Sequence, residues 1–412
     1  MEGNYLIKFL KMKIDLENQK LVKDEKYNNN IEMINSIDKN EEIIINEKPK
    51  IRNSSFELLR IILMILIILS HIIFHTKSLP KLDKKNYKKI INNNYIFLRI
   101  ISNNGKIGDI IFIMISGYFS IKRLDFHYYK FILIASETYI YHYLFLFISN
   151  KLKSIYNDII PLQQKNGSKY LPLMTSLGHW FTQNYLLLLI FMPFINSGLL
   201  SLSHQKYKTL IILIIIFYCI LKGIMNVFNV ETNTLSVTLF LKLLLPYIIG
   251  GYIRIVDLKY KLFWKICGII FFILTFIFEF IFEKLAIYYD NYTWISIQDQ
   301  LSNNIYSLLP ILSSIGIICL FKDIEIYNKK INFISASVLG IYLIHANKNI
   351  APFLYNAWYK TNDYNENKFF INYFIKTILI FIISLIMDII RRFTIGFIIE
   401  IVLNYFIKKL KK

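Results

Sequence analysis

The chain has 412 residues, is 55% hydrophobic and carries a formal net charge of +20, with a positive mean hydropathy of +0.43. Apolar runs of about twenty residues recur along it, the length that spans a hydrocarbon core. Runs such as residues 210–221 are apolar on every face, which excludes the alternating strands of a membrane barrel. Lys and Arg sit in short clusters between these runs, so the positive balance reads as loops meeting anionic lipid headgroups and not as a nucleic-acid surface. The fold class expected is an all-α integral membrane protein, a polytopic bundle of about ten transmembrane helices.

Residues 1–52 are rich in Asn, Lys, Glu and Ile, with one short apolar patch at 6–14, and read as a polar, disordered cytoplasmic tail. Residues 53–412 form the transmembrane domain and end in a short basic tail. No cleavable signal peptide is visible ahead of the first apolar run, which then acts as an uncleaved anchor. That run, 53–75, carries Glu57, Arg60, Ser70, His71 and His75. From Arg60 to His71 a helix turns by about 1100°, close to three full circles, and rises about 16 Å. Glu57, Arg60, His71 and His75 therefore share one stripe on an otherwise Ile, Leu and Met helix. A charge at mid-membrane costs at least about 2.5 kcal/mol, so such a stripe faces a cavity or a protein partner.

Further spans are expected at about 107–121, 131–149, 180–198, 209–228, 237–255, 263–283, 303–321, 332–346 and 370–390. The short 107–121 and 332–346 segments suit broken or re-entrant helices. Basic clusters after alternate spans, including Lys122, Arg123, Lys206, Lys208, Lys329 and Lys330, place both termini in the cytoplasm. The loop at 76–106 disagrees, because its lysines and Arg99 fall on the outer side. Cys219, Cys267 and Cys319 lie in separate apolar runs and give neither a disulfide framework nor a zinc spacing. His71 and His75 have the i, i+4 spacing of a metal pair, but no third ligand adjoins them and no metal is expected. Glu279, Glu283, Asp290 and Asp299 read as a solvated outer loop, and Asp388 with Arg391 as an i, i+3 pair.

Four stretches then fall into one order. They are FELLRIILMILIILSHIIFH from Phe56, GKIGDIIFIMISGYFS from Gly105, HWFTQNYLLLLIFMPFIN from His179 and VLGIYLIHAN from Val338. Each has an ordinary reading alone. Ser116-Gly117 is a small-residue helix contact, Trp180 and Tyr185 are interfacial aromatics, and His345 is a core histidine beside Tyr342 and Asn347. Together, with an Arg and a His eleven positions apart on the first span, they resemble the membrane-bound acyltransferase family 3, in its polysaccharide O-acetyltransferase-like branch. The chain departs from that pattern at Ala346, where the motif leads one to expect an acidic residue.

The resemblance implies an O-acyltransferase of the cell membrane that transfers an acetyl or other acyl group from acyl-CoA to a hydroxyl of an envelope carbohydrate or lipid-linked glycan, with no bound cofactor. It makes His71, Arg60 and Glu57 the catalytic candidates. Arg60 would hold the donor phosphates, Glu57 would orient it, and His71 would take the hydroxyl proton or carry the acyl group. Ser116, Gly117, Tyr118, Trp180, Tyr185 and His345 would line the acyl or sugar site. Two other readings stand beside it: a transporter or flippase of glycan units, with the stripe lining its path, and a non-catalytic member of a polysaccharide assembly complex.

Overall fold

The first apolar helix begins where its orphan N–H groups find a partner. The Asn53 carboxamide oxygen accepts the Ser55 N–H at 2.9 Å, a capping contact. From there the chain runs through Ile, Leu and Met without Gly or Pro, and α1 (Ser55–Thr76) is unbroken. The computed structural model describes residues 53–76, 87–155, 180–221, 239–256, 261–302, 307–356 and 368–410. The tail at 1–52 lies outside them, as do the side chain of His75 and all of His179.

The described residues are all helix and connecting turn, with no strand among them. After α1 come α2 (Tyr87–Ile90), α3 (Asn93–Ser120), α4 (Tyr128–Ile155) and α5 (Trp180–Leu200). Then follow α6 (His204–Ile215, extended by a π turn to Leu221), α7 (Leu239–Ile255), α8 (Lys261–Tyr288), α9 (Thr293–Ser302) and α10 (Leu308–Phe321). The last are α11 (Lys329–Ser335), α12 (Val338–His345), α13 (Ala351–Asn356), α14 (Phe369–Arg391, with a π turn to Gly396) and α15 (Phe397–Leu410).

Among the described residues six helical stretches are long and apolar enough to cross a bilayer: Ser55–Ile73, Tyr128–Lys151, Trp180–Leu200, His204–Leu221, Leu262–Tyr288 and Phe369–Val402. The expectation of about ten is thus corrected in detail. Helix α10 has 14 residues and α7 has 17, short of a full span. The 332–346 segment is two short helices, broken at Ala336 and Ser337. The 107–121 segment is neither short nor broken, being the C-terminal half of the 28-residue α3. The N-terminal half of α3 is masked in the sequence by Arg99 and Lys106, whose charges make the run look like loop. Arg99 is in fact buried, with its Nε 2.8 Å from the Glu283 carboxylate and its Nη2 donating to Gln298 Oε1 at 2.8 Å. A buried charge persists only where it is paired and hydrogen-bonded. Glu279 and Glu283 are likewise buried, not solvated.

Helix α1 is enclosed, whereas α8 turns Ile266, Ile269, Ile273, Ile277 and Phe280 outward as a lipid-facing stripe. Two apolar clusters meet on α1: one with α12, α13 and α14, the other with α3, α7 and α10. The start of α1 is stitched to the segment before α11. The Ser54 N–H donates to Ile326 O at 2.6 Å, and the Asn328 N–H to Ser54 Oγ at 3.0 Å. The Asn328 carboxamide oxygen in turn caps α11, accepting from the Lys330 and Ile331 N–H groups. These bonds fix α11 against the first turn of α1, where the polar stripe begins.

Candidate active site

A cavity of about 380 Å³ opens among α1, α3, α4, α5, α11 and α12, within the range of about 300–1,000 Å³ typical of ligand sites. One end is polar. Arg60 Nη1 donates to both oxygens of Glu57, at 2.8 and 3.1 Å, and Ser335 Oγ donates to Glu57 Oε2. Glu57 is almost fully buried, while the Arg60 side chain keeps 28% of its surface accessible, so the guanidinium retains donors for a ligand.

Across the cavity Lys130 Nζ donates to the Tyr185 hydroxyl at 2.8 Å and lies 5.4 Å from its ring centroid. The Tyr185 hydroxyl is 3.2 Å from Ser116 Oγ, which donates to Phe112 O. An ammonium only donates and a carbonyl only accepts, so the proton order runs from Lys130 through Tyr185 and Ser116 to Phe112 O. The cavity thus presents two cations from two helices, each held in place by its own hydrogen bonds.

The other end is walled by Ile67 and Tyr342, with Asp109 beside them. Beyond that wall the first span meets the late motif: the rings of His71 and His345 lie with centroids 5.1 Å apart and planes inclined by 43°. His345 is fully buried, and its Nδ1 lies 2.6 Å from Ile341 O. Because a carbonyl cannot donate, Nδ1 carries the proton of the neutral ring and Nε2 holds the lone pair. Tyr342 stands edge-on to His345, at 5.9 Å and 86°, and so touches both the cavity and the histidine pair.

A charged network backs α12. Asp388 accepts from Tyr141 at 2.7 Å and from Arg391 Nε at 2.8 Å, and Arg391 Nη2 reaches Glu137 at 2.9 Å. The i, i+3 pair read from sequence is present, within a larger set. Arg392 Nη1 donates to Phe333 O and Ser337 Oγ, both at 3.0 Å, and so holds the break between α11 and α12.

Of the candidates read from sequence, Glu57, Arg60, Ser116 and Tyr185 line one cavity, and His71 and His345 meet just past it. The other three stand apart. Trp180 packs edge-on against Phe181, and Tyr118 lies under Arg254 at 5.2 Å. Gly117 faces α7, where an added Cβ would sit 2.1 Å from Tyr247 O. Sequence reasoning missed Lys130, Asp109, Ser335 and Tyr342 as cavity residues. In the chain Lys130 follows the second apolar run and reads as a loop cation, and Asp109 lies inside the GKIGDIIFIMISGYFS stretch with no spacing that marks it out.

Comparison with curated proteins and with solved structures gives no match. A family model described as an acyltransferase domain does match, over residues 53–389, the stretch that contains the cavity and the histidine pair, and the chain belongs to that family, acyltransferase family 3.

Proposed function

We propose that this membrane acyltransferase moves an acyl group, in the simplest case acetyl, from acyl-CoA to a hydroxyl of an envelope or exported carbohydrate. The observation that carries the proposal is the cavity with its cationic end at Arg60 and Lys130 and its far end against the His71–His345 pair. Along α1 the two ends are about 16 Å apart, too far for both to touch one reacting centre and suited to a long, anionic-headed thioester. The Arg60 fork and the Lys130 ammonium would bind the phosphates by charge-assisted hydrogen bonds. The thioester would reach toward His71.

In the transfer, the acceptor hydroxyl oxygen attacks the thioester carbonyl as His71 takes its proton. The C–S bond then breaks, and the proton passes to the departing thiolate. His345, its Nδ1 tied to Ile341 O, would support His71 from the side. Lys122 and Arg123 follow α3, and Lys329 and Lys330 open α11, at the end of the bundle that holds Asn53. This favours a cytoplasmic start for α1, with the donor entering from inside the cell membrane. With α3, α7 and the broken α11–α12 counted among the membrane-embedded elements, the bundle approaches the ten segments of the sequence reading.

The test is mass spectrometry of surface glycans from cells that carry wild-type or His71→Ala protein. Loss of acetyl-ester increments, with the variant still folded in the membrane, is expected. Unchanged acetylation with failed export would favour a transporter instead, and unchanged glycans with intact export would remove the catalytic reading.

A further inference from the structure

The buried carboxylates around the site have partners: Glu57 has Arg60 and Ser335, Asp388 has Tyr141 and Arg391, and Glu137 has Arg391. Asp109 differs. It lines the cavity without a hydrogen bond or close ion pair to another described residue, and the charge that acts on it from the protein is Lys106, one turn earlier on α3. Attraction to Lys106 leaves the carboxylate oxygens without a hydrogen-bond donor, and an ionisable side chain so placed in a membrane helix is costly unless a ligand supplies one.

The register between α1 and α3 locates Asp109 along the proposed donor track. The two helices run antiparallel in close contact: an added Cβ on Gly105 would meet Ser70, and one on Gly108 would meet Ile67 and the Leu63 carbonyl. Asp109 therefore stands near the level of Ile67, about 10 Å above Arg60 and about 6 Å below His71 along the axis. Helical side chains lean toward the N-terminus of their own helix. Because the helices are antiparallel, Asp109 leans toward the His71 end and His71 leans back toward the cavity.

In an acyl-pantetheine arm the thioester sulfur and the nearer amide nitrogen are three single bonds apart, about 4 Å when extended. We infer that Asp109 accepts a hydrogen bond from that amide N–H and so sets how far the thioester advances toward His71. The inference rests on the acyl-CoA reading above. It makes Asp109 a donor-binding and positioning residue: the cations hold the phosphates, the apolar middle accommodates the arm, and the carboxylate fixes the last amide before the reacting carbon. A charge-assisted bond to a neutral amide is strong enough to discriminate donors with and without that N–H.

The experiment uses the full chain in lipid nanodiscs with acetyl-CoA and with an analogue in which an ester oxygen replaces the amide N–H nearest sulfur. The wild type is expected to prefer the amide by roughly 10- to 100-fold in kcat/KM. Asp109→Leu should lose that preference while unfolding at the same temperature or higher, because an apolar side chain replaces a carboxylate that accepts no hydrogen bond from the protein. Asp109→Asn, which keeps the shape and one acceptor oxygen, should fall between them and carries the test if the Leu variant does not fold. Changes intrinsic to the analogue cancel between proteins in this cycle. Wild-type preference retained in both variants would overturn the assignment, as would a rise in acceptor KM with donor preference intact. A wild-type protein that neither binds nor uses acyl-CoA would instead overturn the acyl-CoA reading itself, and with it this one.

Discussion

Gly117 is where the family resemblance and the packing make different demands, and Gly117→Ala separates them. The ideal Cβ would lie 2.1 Å from Tyr247 O, 2.9 Å from Tyr247 C and 3.1 Å from Gly251 N. These are backbone atoms of α7 and cannot rotate away. Gly250 is the reciprocal case, its Cβ falling 2.0 Å from Met114 O. To restore ordinary contact the two helices must part locally by about 1 Å. Overpacking of this kind costs about 1–3 kcal/mol, and the backbone obstacle argues for the upper end. The better helix propensity of Ala returns up to about 1 kcal/mol, leaving a net loss of about 2 kcal/mol, or roughly 30-fold in the folded ratio.

Gly198 supplies the control, since a Cβ there meets nothing within 4 Å. Gly198→Ala should therefore stabilise by about 0.5–1 kcal/mol. Both variants are to be compared with wild type by reversible unfolding in bicelles, with acetyl transfer measured per folded molecule. A Gly117→Ala protein within about 0.5 kcal/mol of wild type would refute the packing argument. If that protein also showed a raised donor KM, Gly117 would be a donor contact instead.

Three more perturbations address other parts of the molecule. Gly340→Ala would set a Cβ 1.9 Å from Asp388 Oδ1, forcing the carboxylate off Tyr141 and Arg391. A loss of about 3–5 kcal/mol by chemical denaturation is expected, and a neutral result would mean that the network does not hold α12. Ser335→Ala removes one donor from Glu57 and should cost about 1 kcal/mol, whereas Glu57→Gln weakens the bonds to both Arg60 and Ser335 and should cost about 1.5–3 kcal/mol. Thermal scans giving the reverse order would show that Arg60, not Glu57, sets the geometry of this end.

Where α2 meets the turn between α8 and α9, hydrogen bonds from Lys88 and then Tyr87 hold the Asp290 carboxyl below its usual range, while the bond to Asp290 raises Tyr87 to about 12. The carboxylate contribution is present above a pH of about 4 and is lost as pH falls through the depressed value. The phenol contribution is present below a pH of about 10 and is lost as pH rises through the raised value. Amide exchange in α2 should therefore quicken at both extremes in the wild type, and already at neutral pH in Asp290→Asn. Exchange that is flat with pH would count against this clamp.

How much the sequence by itself determined follows from what local periodicity can encode. The unbroken apolar run after Glu57 dictated α1, and the helical repeat placed Arg60 and His71 on one face. Four motifs in order were enough to indicate the family that the match over residues 53–389 shows. The N-terminal half of α3 was not legible, because Arg99 looks like loop until Glu283 and Gln298 come to meet it from α8 and α9. Nor was the burial of Glu279 and Glu283, since exposure is a property of neighbours and not of residue type.

The cavity itself was decided only by tertiary structure. Lys130 reads as a headgroup-facing cation until α4 sets it against Tyr185 of α5. Gly117 reads as an open lining position until the backbone of α7 fills the space beside it. His71 and His345, far apart in the chain, are each an isolated polar residue until the break at Ala336 and Ser337 turns α12 toward α1. Periodicity fixes which side chains share a face; which face another helix, a ligand or lipid will cover is set by long-range packing, and the make-up of this cavity follows from that choice.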